Sequence, residues 1–164
     1  MDFLAKFPRK LAANSTAGAP SYELVPDLYA VHRKQAAGPA DRAEYLLNDG
    51  KIAVFKLDAK GATSAAQDGK VSAVYTLVSG GSLAVPTGLV FVRFADGTEV
   101  KAREKELNNA GYEVTETLAY APNAAWLQAR SEDIADSLNG LAALAKLPNV
   151  EGVEPQMLME SARR

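Results

Sequence analysis

His32 is the one histidine among the 164 residues, and there is no cysteine. A lone imidazole excludes a multi-histidine metal centre, and the missing thiols exclude cysteine catalysis, disulfides and cysteine-ligated zinc or iron–sulfur clusters. His32 stands in the run Tyr29-Ala-Val-His-Arg33, which reads as a strand whose ring is satisfied by a neighbour, not as a general base. Glu104 and Glu106 alternate with Lys101, Arg103 and Lys105, the pattern of a solvated helix face supported by pairs one turn apart. Glu132 and Asp133 follow Ser131, where a helix N-terminus favours acids, so the pair needs no acid–base chemistry. Gly80, Gly81 and Gly88 lack the Gly-Lys-Ser/Thr that a phosphate loop requires. No nucleophile–base set can be assembled, and no metal or cofactor is implied. Trp126, in an alanine-rich strand, reads as a core anchor; the alternative is an exposed contact on a partner-facing sheet.

Composition narrows the classes further. Hydrophobic residues make up 48% and charged residues 23%, the balance of a soluble globular chain. A formal net charge of −2 creates no field that recruits nucleic acid or an anionic membrane, which leaves protein as the expected partner. No apolar run has signal-peptide or membrane-spanning length. The compartment stays open: cytoplasmic, unless a leader preceded this sequence.

The elements follow from periodicity and punctuation. Residues 1–20, rich in small residues towards their end, read as a flexible tail, the alternative being a short amphipathic turn through Phe3, Leu4 and Phe7 at its start. Residues 21–86 read as a small α+β segment. It holds a run over 23–33 that reads as a strand in its second half, with Pro26 restricting its beginning to an edge or a bend. A helix entered at Pro39 carries Ala43, Leu46 and Leu47 and stops near Gly50. Strands over 51–57 and 71–78 complete it. Gly80-Gly-Ser82 and Pro86-Thr-Gly88 bracket a linker. Residues 87–155 are more regular: a strand over 89–94, a charged helix ending at Gly111, an alternating strand over 112–119, a turn at Tyr120–Asn123 and a strand over 124–129. One further helix follows, N-capped by Ser131 with Ile134, Leu138, Leu141 and Ala145 on one face, and then a strand from Val150. The order βαββαβ predicts an α+β, ferredoxin-like domain: a four-stranded antiparallel sheet with both helices on one face and the other face open.

Three stretches of this second half carry a family likeness. They are Val90-Phe-Val-Arg-Phe-Ala-Asp-Gly97, Leu107-Asn-Asn-Ala-Gly-Tyr-Glu-Val114, and the most specific, Leu141-Ala-Ala-Leu-Ala-Lys-Leu-Pro-Asn-Val-Glu-Gly-Val-Glu-Pro155. Together they resemble the propeptide domain of subtilisin-like serine proteases (subtilases), a family of propeptide inhibitors. The likeness covers about 40% of the chain; residues 22–88 resemble more vaguely an additional propeptide half found in some bacterial subtilases. It implies an intramolecular chaperone and inhibitor, itself non-catalytic, whose partner is a subtilase catalytic domain. The open sheet face is implied to pack on the protease, and the C-terminal segment 156–164 to lie in the substrate groove by strand addition. The implied groove residues are Met157, Leu158, Met159, Glu160, Ser161, Ala162, Arg163 and Arg164, the last two either at the cut or forming a basic site for another protease. Glu113, Glu151 and Glu154 are the implied carboxylates for capping helix N-termini of the protease, with no choice among them from sequence.

Two other functions compete. A free-standing inhibitor or regulator acting in trans has the same fold. A ferredoxin-like RNA-binding module would use residues 89–94 as an aromatic strand, but Ala124-Ala-Trp-Leu-Gln-Ala129 lacks the basic and aromatic signature such sheets place there.

Overall fold

Proline and glycine decide where ladders break, and strand sequences decide what is buried between the breaks. A computed structural model describes residues 3–14, 18–33, 45–47, 51–56, 69–78 and 81–159. The protein is mixed α+β, dominated by antiparallel strands with few and short helices. It divides into two compact units. Unit 1 comprises Met1–Lys10, Tyr22–Pro86 and Met157–Arg164; unit 2 comprises Leu11–Ser21 and Thr87–Gln156.

Unit 1 is built on β2 (Ser21–Arg33), flanked by β4 (Ile52–Lys56) and β5 (Gly69–Leu77). Tyr29, Ala30 and Val31 pair with Phe55, Val54 and Ala53 of β4, and Tyr29 and Val31 face Ala73 and Val71 of β5. These strands are apolar on both faces, as the runs Leu-Tyr-Ala-Val and Ile-Ala-Val-Phe require of buried strands. On one face Leu28, Ala30, Ile52, Val54, Val74 and Val85 form a cluster. On the other, Tyr29, Val31, Ala53 and Phe55 pack together, with the two rings stacked 5.6 Å apart. Between Leu24 and Tyr29 the β2–β5 register shifts, around Pro26, which has no N–H to give a ladder.

Two expectations fail in this unit. Residues 45–47 are not helical: Tyr45–Leu47 is a short strand, β3, paired with Val54, Ala53 and Ile52 of β4. Three apolar residues in a row are too few to separate a period of 3.6 from one of 2, and a β4 edge was there to be covered. The remainder of that expected helix lies outside the described residues. The start of the chain is not a loose tail either. Leu4 and Phe7 are buried, the Tyr75 hydroxyl donates to the Pro8 carbonyl at 2.7 Å, and Leu24 N–H donates to Arg9 O. The small residues towards 20 suggested disorder, but Phe3-Leu-Ala-Lys-Phe7 holds enough apolar surface to order itself as a 3-10 turn at Phe3–Lys6. Strand β1 (Lys10–Ala12) pairs with β2.

The expected linker over residues 80–88 is largely strand: β6 runs unbroken from Leu83 to Phe94. Ala84 is the last residue seen paired with Tyr75 of β5 and Leu89 the first paired with β8 (Ala121–Ala129), so Pro86 sits where neither of these two ladders asks it for an N–H. Gly88 takes φ +95, which only glycine adopts without strain.

Unit 2 orders its strands β9-β6-β8-β7, with β7 at Tyr112–Leu118, β8 at Ala121–Ala129 and β9 at Val150–Met159. β6 and β7 both pair antiparallel with β8. The β9–β6 partners descend in number as the others rise (Ala95 with Asn149, Arg93 with Glu151, Thr87 with Gln156), so this pair is antiparallel too. Val90, Val92, Phe94, Ala125, Leu127 and Val153 meet Val100, Leu107 and Leu144 in one core. The helical segments therefore cover one face. The first is a 3-10 turn, Val100–Arg103, continued by α1 (Glu104–Asn109), which buries Leu107 and exposes its charges.

The second helix differs from expectation. It is two pieces, α2 (Ile134–Asn139) and α3 (Leu141–Ala145), meeting at Gly140. A Cβ at Gly140 would stand 2.5 Å from the Tyr112 hydroxyl oxygen, so the residue is glycine because the tyrosine ring passes against it. The N-cap is Asp133, whose carboxylate accepts from Ala135 N at 2.8 Å, and not Ser131. Glu132 lies at φ 64 outside the helix, which delays the first turn by two residues. Ser131 instead accepts from Asp133 N and donates to Asp136. The turn after β7 is also tighter than expected: Leu118 already pairs with Ala121, which leaves Ala119 and Tyr120 as its loop. Among the described residues, no helix is long and apolar enough to cross a membrane.

Candidate functional site

Alternation along β6 sends Val90, Val92 and Phe94 into the core, and therefore turns Leu89, Phe91 and Arg93 to the face without helices. Register carries this to β8, where Leu89, Phe91 and Arg93 stand opposite Gln128, Trp126 and Ala124. Phe91 and Trp126 meet edge to face, ring centroids 5.2 Å apart, and both are half-buried. Such a pair contributes about 0.5–1.5 kcal/mol beyond its buried area. Trp126 is thus not in the helix-covered core; it belongs to the helix-free face.

Polar groups surround the pair. Gln128 donates to Glu113 Oε2 at 2.7 Å, fixing the carboxylate on β7 beside it. Arg93 pairs with Glu151 of β9 at 2.9 Å, both side chains about half exposed. In the β7 bulge Thr115 Oγ1 donates to the Trp126 carbonyl, which anchors the backbone under the indole. Among the three carboxylates singled out from sequence, two have partners on this unit. Glu154 is exposed and has no side-chain partner among the described residues, so it is the one free to meet an outside donor. Phe91 and Arg93 had not been singled out. The signal was present in the alternation Val90-x-Val92-x-Phe94, which assigns the residues between to the opposite face.

The expected groove residues divide. Met157, Leu158 and Met159 are in β9, which continues past Pro155 where a free tail was expected. Leu158 packs against the unit 1 cluster that contains Val74 and Val85, and the Tyr22 hydroxyl donates to Met159 Sδ at 3.9 Å. The physical reason is composition: Met-Leu-Met after Pro155 is as good a strand as what precedes it, and an apolar cluster is at hand to bury Leu158. Glu160, Ser161, Ala162, Arg163 and Arg164 lie outside the described residues.

Two other places bring polar groups together. His32 Nε2 lies 2.8 Å from Ser72 Oγ, a base and a hydroxyl in contact, but Ser72 is fully buried in β5 and donates to Ala73 O. Burial, aided by the charge of Lys70, lowers the His32 pKa to about 4, which leaves a poor proton acceptor. An open notch of about 540 Å³ in unit 2 is bordered by Asn108, Tyr112, Arg130, Ser131 and Asp136. Its Ser131 and Asp136 already bond each other, and the Tyr112 hydroxyl is held by the Ser137 carbonyl with its pKa driven up by desolvation first and by Asp136 second. Among the described residues no group of three His, Asp or Glu side chains is arranged to hold a metal ion. No family model, curated protein or solved structure matches the chain.

Proposed function

We propose that the chain is a propeptide-type protease inhibitor that binds the catalytic domain of a subtilisin-like serine protease, assists its folding, and does not catalyse a reaction. The observation that carries the reading is the helix-free face of unit 2: an apolar Phe91–Trp126 centre bordered by Arg93, Gln128 and Glu113, with Glu154 on β9 having no side-chain partner among the described residues. On this reading unit 2 is ferredoxin-like, a plan supported by its strand order and by the placing of both helical segments on one side. The aromatic centre docks on the protease surface, an apolar core with a polar rim being what stable interfaces use. Glu154 caps a helix N-terminus there, where orphan amides attract a carboxylate. Residues 156–164 supply the strand that enters the groove. The resemblance at residues 141–155 supports the same partner.

The test is titration of a purified subtilisin-type protease with the chain, following residual peptidase activity. Stoichiometric loss of activity is expected. Trp126→Ala, which removes the central anchor, should raise the inhibition constant by about 30-fold, the scale of an interface hot spot. Undiminished activity at a large molar excess of chain would overturn the proposal.

A further inference from the structure

The segment given the groove-binding role is, in its described part, already bound within its own chain. Leu158 is half-buried against Leu28, Ala30, Ile52, Val54, Val74 and Val85, and Met159 takes a hydrogen bond from Tyr22. All of these residues belong to unit 1. A leucine side chain that fills an apolar cluster of its own molecule is not at the same moment filling a protease subsite.

We infer that unit 1 is an autoinhibitory latch: it holds residues 157–159 back, and the chain inhibits its protease only when Leu158 leaves the cluster. The inference rests on the proposed function. It gives residues 22–86 a task, which the propeptide reading alone does not.

The hold is built to be weak. Leu158 is only half-buried, Met159 is 37% exposed, and the hydrogen bond ends on a thioether, a poor acceptor. A strand end with so few buried contacts belongs to the low-stability part of a fold and opens locally without global unfolding. When only a fraction of molecules has the segment free, apparent affinity falls by that same fraction. Loosening the latch should therefore tighten inhibition, the opposite of what loss of an ordinary contact residue does.

The experiment uses the full chain, wild type and Leu158→Ala, together with two free nonapeptides spanning residues 156–164, with and without that substitution. The peptides measure what the substitution costs in the groove alone. Hydrogen exchange at the amides of residues 157–159 reports release, and titration of a subtilisin-type protease reports inhibition. Expected are faster exchange in Leu158→Ala and, once the peptide effect is divided out, inhibition about tenfold tighter, equivalent to about 1.4 kcal/mol. Faster exchange with unchanged or weaker corrected inhibition overturns the latch and leaves the inhibitor reading standing. Unchanged exchange also overturns it, because Leu158 is then not what holds the segment. Tyr22→Phe, which deletes only the hydroxyl, is the second variant should Leu158→Ala misfold; a two- to threefold shift in the same direction is expected, and none would overturn the latch. If no form of the chain or peptide inhibits, the protease reading falls and takes the latch with it, an outcome distinct from the others because inhibition is then absent and not merely unimproved.

Discussion

Acidification is the perturbation to which unit 1 should respond most sharply, through His32. The imidazole sits on β2 opposite Lys70 of β5, with Nε2 2.8 Å from Ser72 Oγ. Ser72 gives its own proton to Ala73 O at 3.0 Å, which assigns the N–H to Nε2 and makes the serine oxygen its acceptor. Burial first and the Lys70 charge second bring the pKa from 6.5 down to about 4. Above pH 6.5 the ring is neutral in both folded and unfolded chains and costs nothing. Below it the unfolded chain takes up a proton that the folded chain refuses until about pH 4, so stability falls across that window and levels off beneath it. A gap of about 2.5 units at about 1.36 kcal/mol each gives a loss of about 3 kcal/mol. Because the chain has a single histidine, one imidazole resonance reports the folded pKa directly by NMR. Urea unfolding followed by far-UV circular dichroism at pH 7.5, 6, 5 and 4 reports the stability. His32→Gln keeps an amide donor for Ser72 without a titrating ring, and subtracting its curve removes the carboxylates common to both proteins. A resonance that titrates at 6 or above, or wild-type and variant stabilities that fall in parallel, would refute the reasoning.

Two stability predictions concern unit 2. Gly140→Ala should destabilise by about 1–3 kcal/mol in spite of alanine's better helix propensity, because the new methyl meets a Tyr112 ring that is buried and tied to the Ser137 carbonyl. An unchanged or higher thermal midpoint would mean that the ring gives way. Asp133→Ala should cost about 1 kcal/mol in urea unfolding as the lost cap of α2, and Ser131→Ala less, since its hydroxyl supports Asp133 N from outside the helix. The reverse order would return the cap to Ser131.

How much could be read from sequence depended on whether a segment's local signal agreed with its neighbours' demands. In unit 2 the signals mostly agree: Val-x-Val-x-Phe on β6, Tyr-x-Val on β7, Gly111 after α1 and Pro148 after α3 each mean one thing. A strand or helical segment lies over each stretch where periodicity puts one, with the bounds and the helix break differing. The misplaced cap has a local cause, since Ser131 and Asp133 are both competent cap residues and only backbone geometry at Glu132 between them decides. Gly140 was invisible as a helix break because its reason, the Tyr112 ring, lies 28 residues away in sequence. In unit 1 long-range demand dominates. Tyr45–Leu47 is strand because β4 offers an edge, and Leu4 and Phe7 are ordered because unit 1 buries them. The same applies to the candidate site. Its face was legible from the pattern of β6, but the pairing of Phe91 with Trp126 needed the register, and the capture of Leu158 needed a cluster assembled from four other strands.

The edges and the face of unit 2 are protected differently, and this bears on how a partner binds. β7 ends the strand order, so its outer backbone groups face no strand of this chain among the described residues. Its sequence guards that edge: Thr115, Glu116 and Thr117 are exposed, and register shifts at Val114–Glu116 and Thr117–Leu118 interrupt the flat run a foreign strand would need. Charged residues and bulges on an edge are the usual defence against unwanted strand pairing. The helix-free face has no such defence at its centre, where two aromatic rings are only partly buried, although an antiparallel sheet facing water normally alternates to polar residues there. On the proposed reading, a guarded β7 edge beside an aromatic pair on the face favours docking by the face over strand addition at β7. On the same reading, strand addition is left to β9, which continues into the segment whose Leu158 packs against the unit 1 cluster.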